Sequence, residues 1–274
     1  MLEALGYEFF RNALAAGLLA SIACGCIGSF IVVKRMVSLA GGISHAAFGG
    51  IGLGYYLGVD PILGATIFSL ATAGIITHFR NQAHQHLDTL VAAVWSSGMA
   101  LGILFIYLAP GFAPDLFSYL FGNILLVPFE NLVLMALLVG IILITVTICY
   151  NRFVAVTFDE EYAIVMNLPA RAIMLALIGL TALTVVMLIQ VVGVILVIAL
   201  LSLPAAIARE YSSSMKTMIL CATLLGAVFT TSGICLSYIL DVPSGGAIIL
   251  IAAASYFLVI LGRDIRQHYA ERKG

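Results

Sequence analysis

The chain has 274 residues, 63% of them hydrophobic and only 9% charged, with a formal net charge of −1 and a mean hydropathy of +1.17. That balance excludes a soluble domain and gives no support for nucleic-acid binding, which needs a basic surface. It describes an all-α polytopic protein of the lipid bilayer, with residues 1–274 forming a single transmembrane domain in which each helical crossing of the ~30 Å hydrocarbon core takes about 20 apolar residues.

The opening MLEALGYEFF carries two glutamates and no basic region, so no removable signal peptide is expected and the first span is retained. Apolar runs then predict spans at 12–33, 36–57, 61–78, 88–109, 126–149, 171–190, 193–208, 216–240 and 244–262, about nine in all. The 38 residues from Arg171 to Ala208 are too long for one ordinary crossing, and an interruption is placed near Gln190 and Gly193. An eight-span chain is the alternative, but it would put Arg209 and Lys216 on the side opposite the other basic residues. With nine spans, Lys34, Arg35, Arg80, Arg152, Arg171, Arg209, Lys216, Arg263, Arg266, Arg272 and Lys273 share one side, eleven of the twelve basic residues in the chain. The positive-inside rule makes that side the cytoplasm, with the N-terminus outside and the C-terminus inside.

On this topology the second span carries AGGISHAAFGG, residues 40–50, with His45 close to the bilayer midplane. An ionisable residue there faces protein, water or a ligand. Gly41 and Gly49 lie one turn away on its face, and Gly42, Ala46, Gly50 and Gly54 form a small-residue stripe beside it. Two readings stay open: a packing helix whose histidine bonds a neighbouring carbonyl, or a pathway residue whose imidazole holds a metal ion. HFRNQAHQHLD, residues 78–88, offers His78, His84, His86 and Asp88 as further metal-ligand types, but their spacing matches no structural zinc pattern. A solvated loop with Asp88 as N-cap of the fourth span explains it more simply. The five cysteines all lie in apolar runs and read as buried small hydrophobes.

The largest connection on the basic side is NRFVAVTFDEEYAIVMNLPAR, residues 151–171. Thr157 and Glu160 have capping-box spacing and Pro169 forces a break, predicting a short helix over about 159–167 with Phe158, Tyr162, Val165 and Met166 on one face. Such an apolar face suits insertion into a partner's groove, or else lies on the headgroups or under the bundle. There is no G-x-x-x-x-G-K-[ST], H-E-x-x-H or G-x-S-x-G motif, so neither ATP binding nor intramembrane hydrolysis has a basis in this chain.

VVKRMVSLAGGISHAAFGG (32–50), DTLVAAVW (88–95), PDLFSYLFGNIL (114–125), FDEEYAIVMNLPAR (158–171), VVGVILVIALLSLPAAIAR (191–209) and YILDVPSGGAIIL (238–250) together resemble the permeases of zinc, manganese and iron ABC importers. The resemblance implies the ABC importer permease fold in a prokaryotic plasma (inner) membrane and transport of a divalent metal ion by alternating access. No permanently bound cofactor is expected. ATP would bind only to separate cytoplasmic ATPase subunits. It further implies a second permease copy, identical or different, and an extracytoplasmic metal-binding protein. His45, with Ser44, Asp115 and Asn123, would line the metal pathway. Asp159, Glu160, Tyr162, Val165 and Met166 would couple to the ATPase. One departure stands out: Gly41 occupies the position where the family usually carries an aspartate one turn before the histidine. That leaves a metal-chelate cargo, such as a siderophore or corrinoid, as the alternative. A carrier driven by an ion gradient is a more distant one, because carboxylates are scarce at mid-membrane depth.

Overall fold

The computed structural model describes residues 6–80, 87–110 and 122–271. Among them, α1 spans Glu8–Val33, α2 Val37–Leu57, α3 Pro61–Arg80 and α4 Leu87–Leu108; a 3-10 turn at Ile124–Leu126 leads into α5, Phe129–Phe158. The short α6 covers Glu160–Val165, followed by α7 at Ala170–Tyr211, α8 at Met215–Leu240 and α9 at Ser244–Glu271. The described residues contain no strand, and nine stretches among them are long and apolar enough to cross a bilayer. An all-helical answer follows from the solvent: hydrocarbon offers no partner for a backbone N–H or C=O, so each span satisfies its own.

α1 and α2 are enclosed, while α3, α4, α5 and α9 turn most of their surface outward. What lets α2 sit at the centre is its lack of side chain. It packs against α3 on one side and α4 on the other, with Gly52 against the backbone of Gly102 and Gly50 against that of Gly64. A Cβ added to Gly98 would come 2.6 Å from Ala46 Cα, closer than real atoms approach. α1 is held by α8 in the same manner, with the Ser21 and Thr230 hydroxyls 3.2 Å apart and each within hydrogen-bond distance of a carbonyl of its own helix, Gly17 and Gly226.

The interruption expected near Gly193 is present, and its geometry shows why the chain reverses there. Gly193 has φ 76 and ψ 164, a backbone conformation essentially restricted to glycine. The start of α7 follows α6, whose Glu160 pairs with Lys34 at 3.2 Å; near its far end, Arg209 donates to the Val32 carbonyl at 3.5 Å. Both ends therefore lie where α1 passes into α2, although 42 residues of continuous helix would separate them by about 63 Å. The stretch is a hairpin of two spans, Ala170–Ile189 and Val191–Tyr211.

Two predicted spans have different bounds: the last continues to Glu271 rather than 262, and the fifth differs at both ends. The fifth span begins at Phe129 rather than 126, because Pro128 occupies its N-cap and Asn123 closes a separate 3-10 turn before it. It also continues to Phe158 rather than 149, since residues 150–158 contain neither Gly nor Pro. At 30 residues, about 45 Å, it outruns the hydrocarbon and projects beyond it.

Gly98→Leu forces a side chain into the Ala46 backbone, whereas Gly74→Leu meets nothing within 4 Å. The first should cost about 1–3 kcal/mol and lower the melting temperature of the detergent-solubilised protein by roughly 2–4 °C per kcal/mol. The second should leave it unchanged. Equal melting of both variants would refute the close α2–α4 packing.

Candidate functional site

α2 and α4 run side by side, with residues close to fifty apart in sequence meeting along their length. Ser38 Oγ donates to Asp88 Oδ1 at 3.0 Å, and the His45 ring lies flat against Trp95, centroids 4.2 Å apart and planes 5° from parallel. Seven residues separate the two levels, about 10 Å along the helices. The His45 ring is half-buried, and its Nδ1 is buried without a hydrogen-bond partner among the described residues. An imidazole nitrogen is costly to leave unpaired at mid-membrane depth. The bland reading, a histidine bonded to a neighbouring carbonyl, does not describe that nitrogen.

Gly41, one turn toward the basic end, presents its bare Cα to α7. A Cβ there would sit 3.6 Å from Ile198 Cδ1, an ordinary contact. Since α2 and the second half of α7 run antiparallel, His45 comes level with about residue 194, beside the Gly193 break. Below Gly41, a cleft of about 630 Å³ opens toward the basic end, with Ser38 and Ser202 inside and Arg35, Arg209 and Arg263 among its lining residues.

The other sequence candidates fall in different places. Ser44 is fully buried, and its hydroxyl donates to the Gly41 carbonyl at 2.8 Å, so it turns inward to its own helix. Asn123 is exposed and accepts from the Leu125 amide at 3.1 Å as the cap of the 3-10 turn. Its neighbour Gly122, at φ 60, lies against the Val192 and Gly193 backbone, where a Cβ would collide. Asp88 is not an N-cap: α4 starts at Leu87, which places Asp88 within the first turn, near the positive end of the helix dipole. Asp115, His84 and His86 lie outside the described residues. Among the described residues, no group of three His, Cys, Asp or Glu side chains could hold a metal ion.

The segment beyond the membrane forms a second candidate site. The predicted capping box is corrected here: Thr157 still belongs to α5, is buried and has no partner for its hydroxyl among the described residues. Asp159 caps α6 instead, accepting from the Tyr162 amide at 2.8 Å, because α5 runs through Phe158 and the first non-helical residue is 159. The helix ends at Val165, short of the predicted 167, because Asn167 takes a left-handed conformation at φ 56. Ala163 is sealed inward, while Phe158, Tyr162, Ile164, Val165 and Met166 are each more than half exposed. Lys34 anchors this segment from beneath. Its ammonium donates to the Val156 carbonyl at 2.9 Å, one of the last of α5, and to Glu160 Oε2 at 3.2 Å.

The comparisons with known proteins bear on both sites. The profile of the ABC 3 transport family matches residues 6–263. The chain belongs to the ABC 3 transport family. This ABC 3 chain is 48% identical over 263 residues to an uncharacterized membrane protein of Synechocystis, covering 96% of the chain and 94% of that relative. It is 33% identical over 268 residues to the manganese import system permease protein ScaB of Streptococcus gordonii, covering 97% of the chain and 95% of the relative. The PsaBC structure from Streptococcus pneumoniae, in complex with Fab, superposes with a TM-score of 0.84 at 33% identity, covering 94% of the chain and 95% of its counterpart. With nine stretches among the described residues long and apolar enough to cross a bilayer, and with relatives in Synechocystis and Streptococcus gordonii that are membrane proteins of bacteria, it is a multi-pass protein of the plasma membrane.

Two residues of the ABC 3 chain that sequence reasoning did not single out touch the candidates, Trp95 and Lys34. The fifty-residue offset that brings Trp95 to His45 leaves no trace in the sequence. A hint was available only in Trp95 being the one tryptophan of the chain, placed on a helix that otherwise faces outward. Because it is the one tryptophan, its emission reports on the stack without interference. His45→Ala should change the intensity and wavelength of Trp95 emission in the detergent-solubilised protein, and an unchanged spectrum would refute the stacked geometry.

Proposed function

We propose that this ABC 3 chain is the membrane-spanning permease of an ATP-driven importer for divalent metal ions, with manganese the first candidate. The carrying observation is the half-buried His45, whose Nδ1 is left without a partner among the described residues, in a helix with glycines at 41, 42, 49 and 52 on its face. Imidazole binds first-row divalent ions. One histidine with Gly41 where a carboxylate would complete the site binds such an ion weakly, which suits a station the ion must leave. The manganese import permease at 33% identity supports this cargo. Asp88, two turns toward the basic end on the same helix pair, is a carboxylate available to an ion moving on from His45.

The basic end is the cytoplasm on the positive-inside rule. The exposed face of α6 is then the docking element for the ATPase subunits, which bind the ATP that this chain has no motif to hold. A second permease copy completes the pathway, and an extracytoplasmic metal-binding protein delivers the ion. Movement of α6 reaches α2 through Lys34, which joins Glu160 and the end of α5 to the link before α2. Gly41 also supports a second reading, a metal chelate, because an ion that arrives with its own ligands does not need a carboxylate at that position.

ATP-dependent uptake into vesicles carrying the permease with its ATPase and binding protein tests the proposal. Manganese uptake should collapse in His45→Ala. Uptake equal to wild type makes His45 a packing residue, and uptake of a chelate but of no free ion selects the second reading. In Lys34→Ala, which loses contacts worth about 1.5–3 kcal/mol, uptake should fall while ATP hydrolysis by the assembled complex continues. Lys34→Arg should keep most of it, and undiminished transport in Lys34→Ala would remove the link from the coupling route.

A further inference from the structure

α5 and α8 both pack on α1 and leave a groove of about 470 Å³ between them, floored by Cys26. Its deep part is apolar, lined by Leu143, Val146 and Ile219, and its mouth carries Tyr150, Asn151 and Lys216. The surrounding outer surface consists of large aliphatic side chains: Ile144, Ile148, Leu220 and Leu224 are each more than half exposed. The groove therefore opens toward acyl chains. Lys216 is the second residue of α8, at the end of a span and hence at headgroup depth. Leu143 lies seven residues from Tyr150, about 10 Å further into the hydrocarbon.

The charge at the mouth is one-sided. Lys216 Nζ stands 5.4 Å over the centroid of the Tyr150 ring, a cation–π contact that positions the ammonium without neutralising it. No acidic residue lines the groove or sits in the first turn of α8. Among the described residues Lys216 has no ion-pair partner. An ammonium fixed on an aromatic face, flanked by a phenol and an amide and backed by a 10 Å apolar trough, has the donor set for a phosphate ester that carries hydrocarbon.

We infer that the groove between α5 and α8 binds an anionic phospholipid of the basic-side leaflet, its phosphate on Lys216, Tyr150 and Asn151 and its first acyl methylenes along Leu143, Val146 and Ile219. A free phosphate would share the mouth but gain nothing from the trough, and the trough selects the lipid. The site is independent of the cargo. Its consequence is mechanical, because it lies two turns before the end of α5, the helix that projects from the membrane and carries α6. An occupied groove braces that projecting arm against α8.

Native mass spectrometry of the full-length permease, titrated with phosphatidylglycerol or phosphatidylcholine, tests the inference. Wild type should retain phosphatidylglycerol in preference. Lys216→Met should weaken that retention roughly fivefold, the contribution of one basic residue near an anionic surface, while Lys216→Arg keeps it. Thr147→Trp, which fills the groove and leaves the charge in place, should also displace the lipid. Equal retention of phosphatidylglycerol by wild type and Lys216→Met would overturn the site. Displacement of the bound lipid by inorganic phosphate or glycerol phosphate at similar concentration would show a free-phosphate site and overturn the lipid assignment.

Discussion

Everything in this protein is arranged around the absence of side chains on α2. Helices in hydrocarbon gain nothing from hiding apolar surface from lipid, so they associate through close packing, and the backbones of α2, α3 and α4 approach as near as glycine allows. The result is a central helix gripped on several sides, with the His45 imidazole projecting from its middle. His45 is held in place because the residues around it are too small to let α2 rotate or slide without collision. Trp95 completes the arrangement by covering a face of the ring.

The same rigidity links the membrane to the segment beyond it. α1 ends at Val33 and α2 begins at Val37, with Arg35 in a left-handed conformation making the turn. Lys34 sits in that link and reaches to the end of α5 and to Glu160. A cation at a helix C-terminus meets both unsatisfied carbonyls and the negative end of the dipole, so one side chain ties the arm holding α6 to the root of the helix holding His45. In the proposed transport cycle, the displacement of α6 has a short, stiff route to the cargo. A lipid between α5 and α8 would act on that arm from its other side.

Gly41 separates this chain from the usual pattern of its resemblance. Replacing a carboxylate with hydrogen removes a charge from the membrane interior and, in the proposed pathway, leaves the histidine as the one near ligand. The closest carboxylate on the same helix pair among the described residues, Asp88, lies about 10 Å away. In the proposed pathway, two weak stations would favour movement between them more than retention at either. The Gly193 break, level with His45 by the packing of Gly41 on Ile198, adds non-helical backbone at that depth, which membrane proteins tolerate where it is packed in protein or lines a cavity.

The sequence by itself determined what depends on one helix at a time. Hydropathy set the spans to within a few residues except at the basic-side ends of α5 and α9, each of which runs nine residues further; the excess length of 171–208 and the charge of Arg209 and Lys216 required the reversal, and His45 stood out as an ionisable residue poorly suited to lipid. The short helix after α5 was legible from its apolar spacing, though its cap moved from Thr157 to Asp159 because residues 150–158 contain no breaker to end α5 earlier. Only the tertiary structure decided what meets across helices: Trp95 on His45, Lys34 beneath Glu160, Gly122 on the Gly193 break, and Ser44 turned into its own helix. Periodicity specifies the face on which a residue lies. Which neighbour occupies that face depends on how closely two backbones can approach, and here that distance is set by glycines scattered through α2, α3 and α4, whose effect is defined only once the helices are paired.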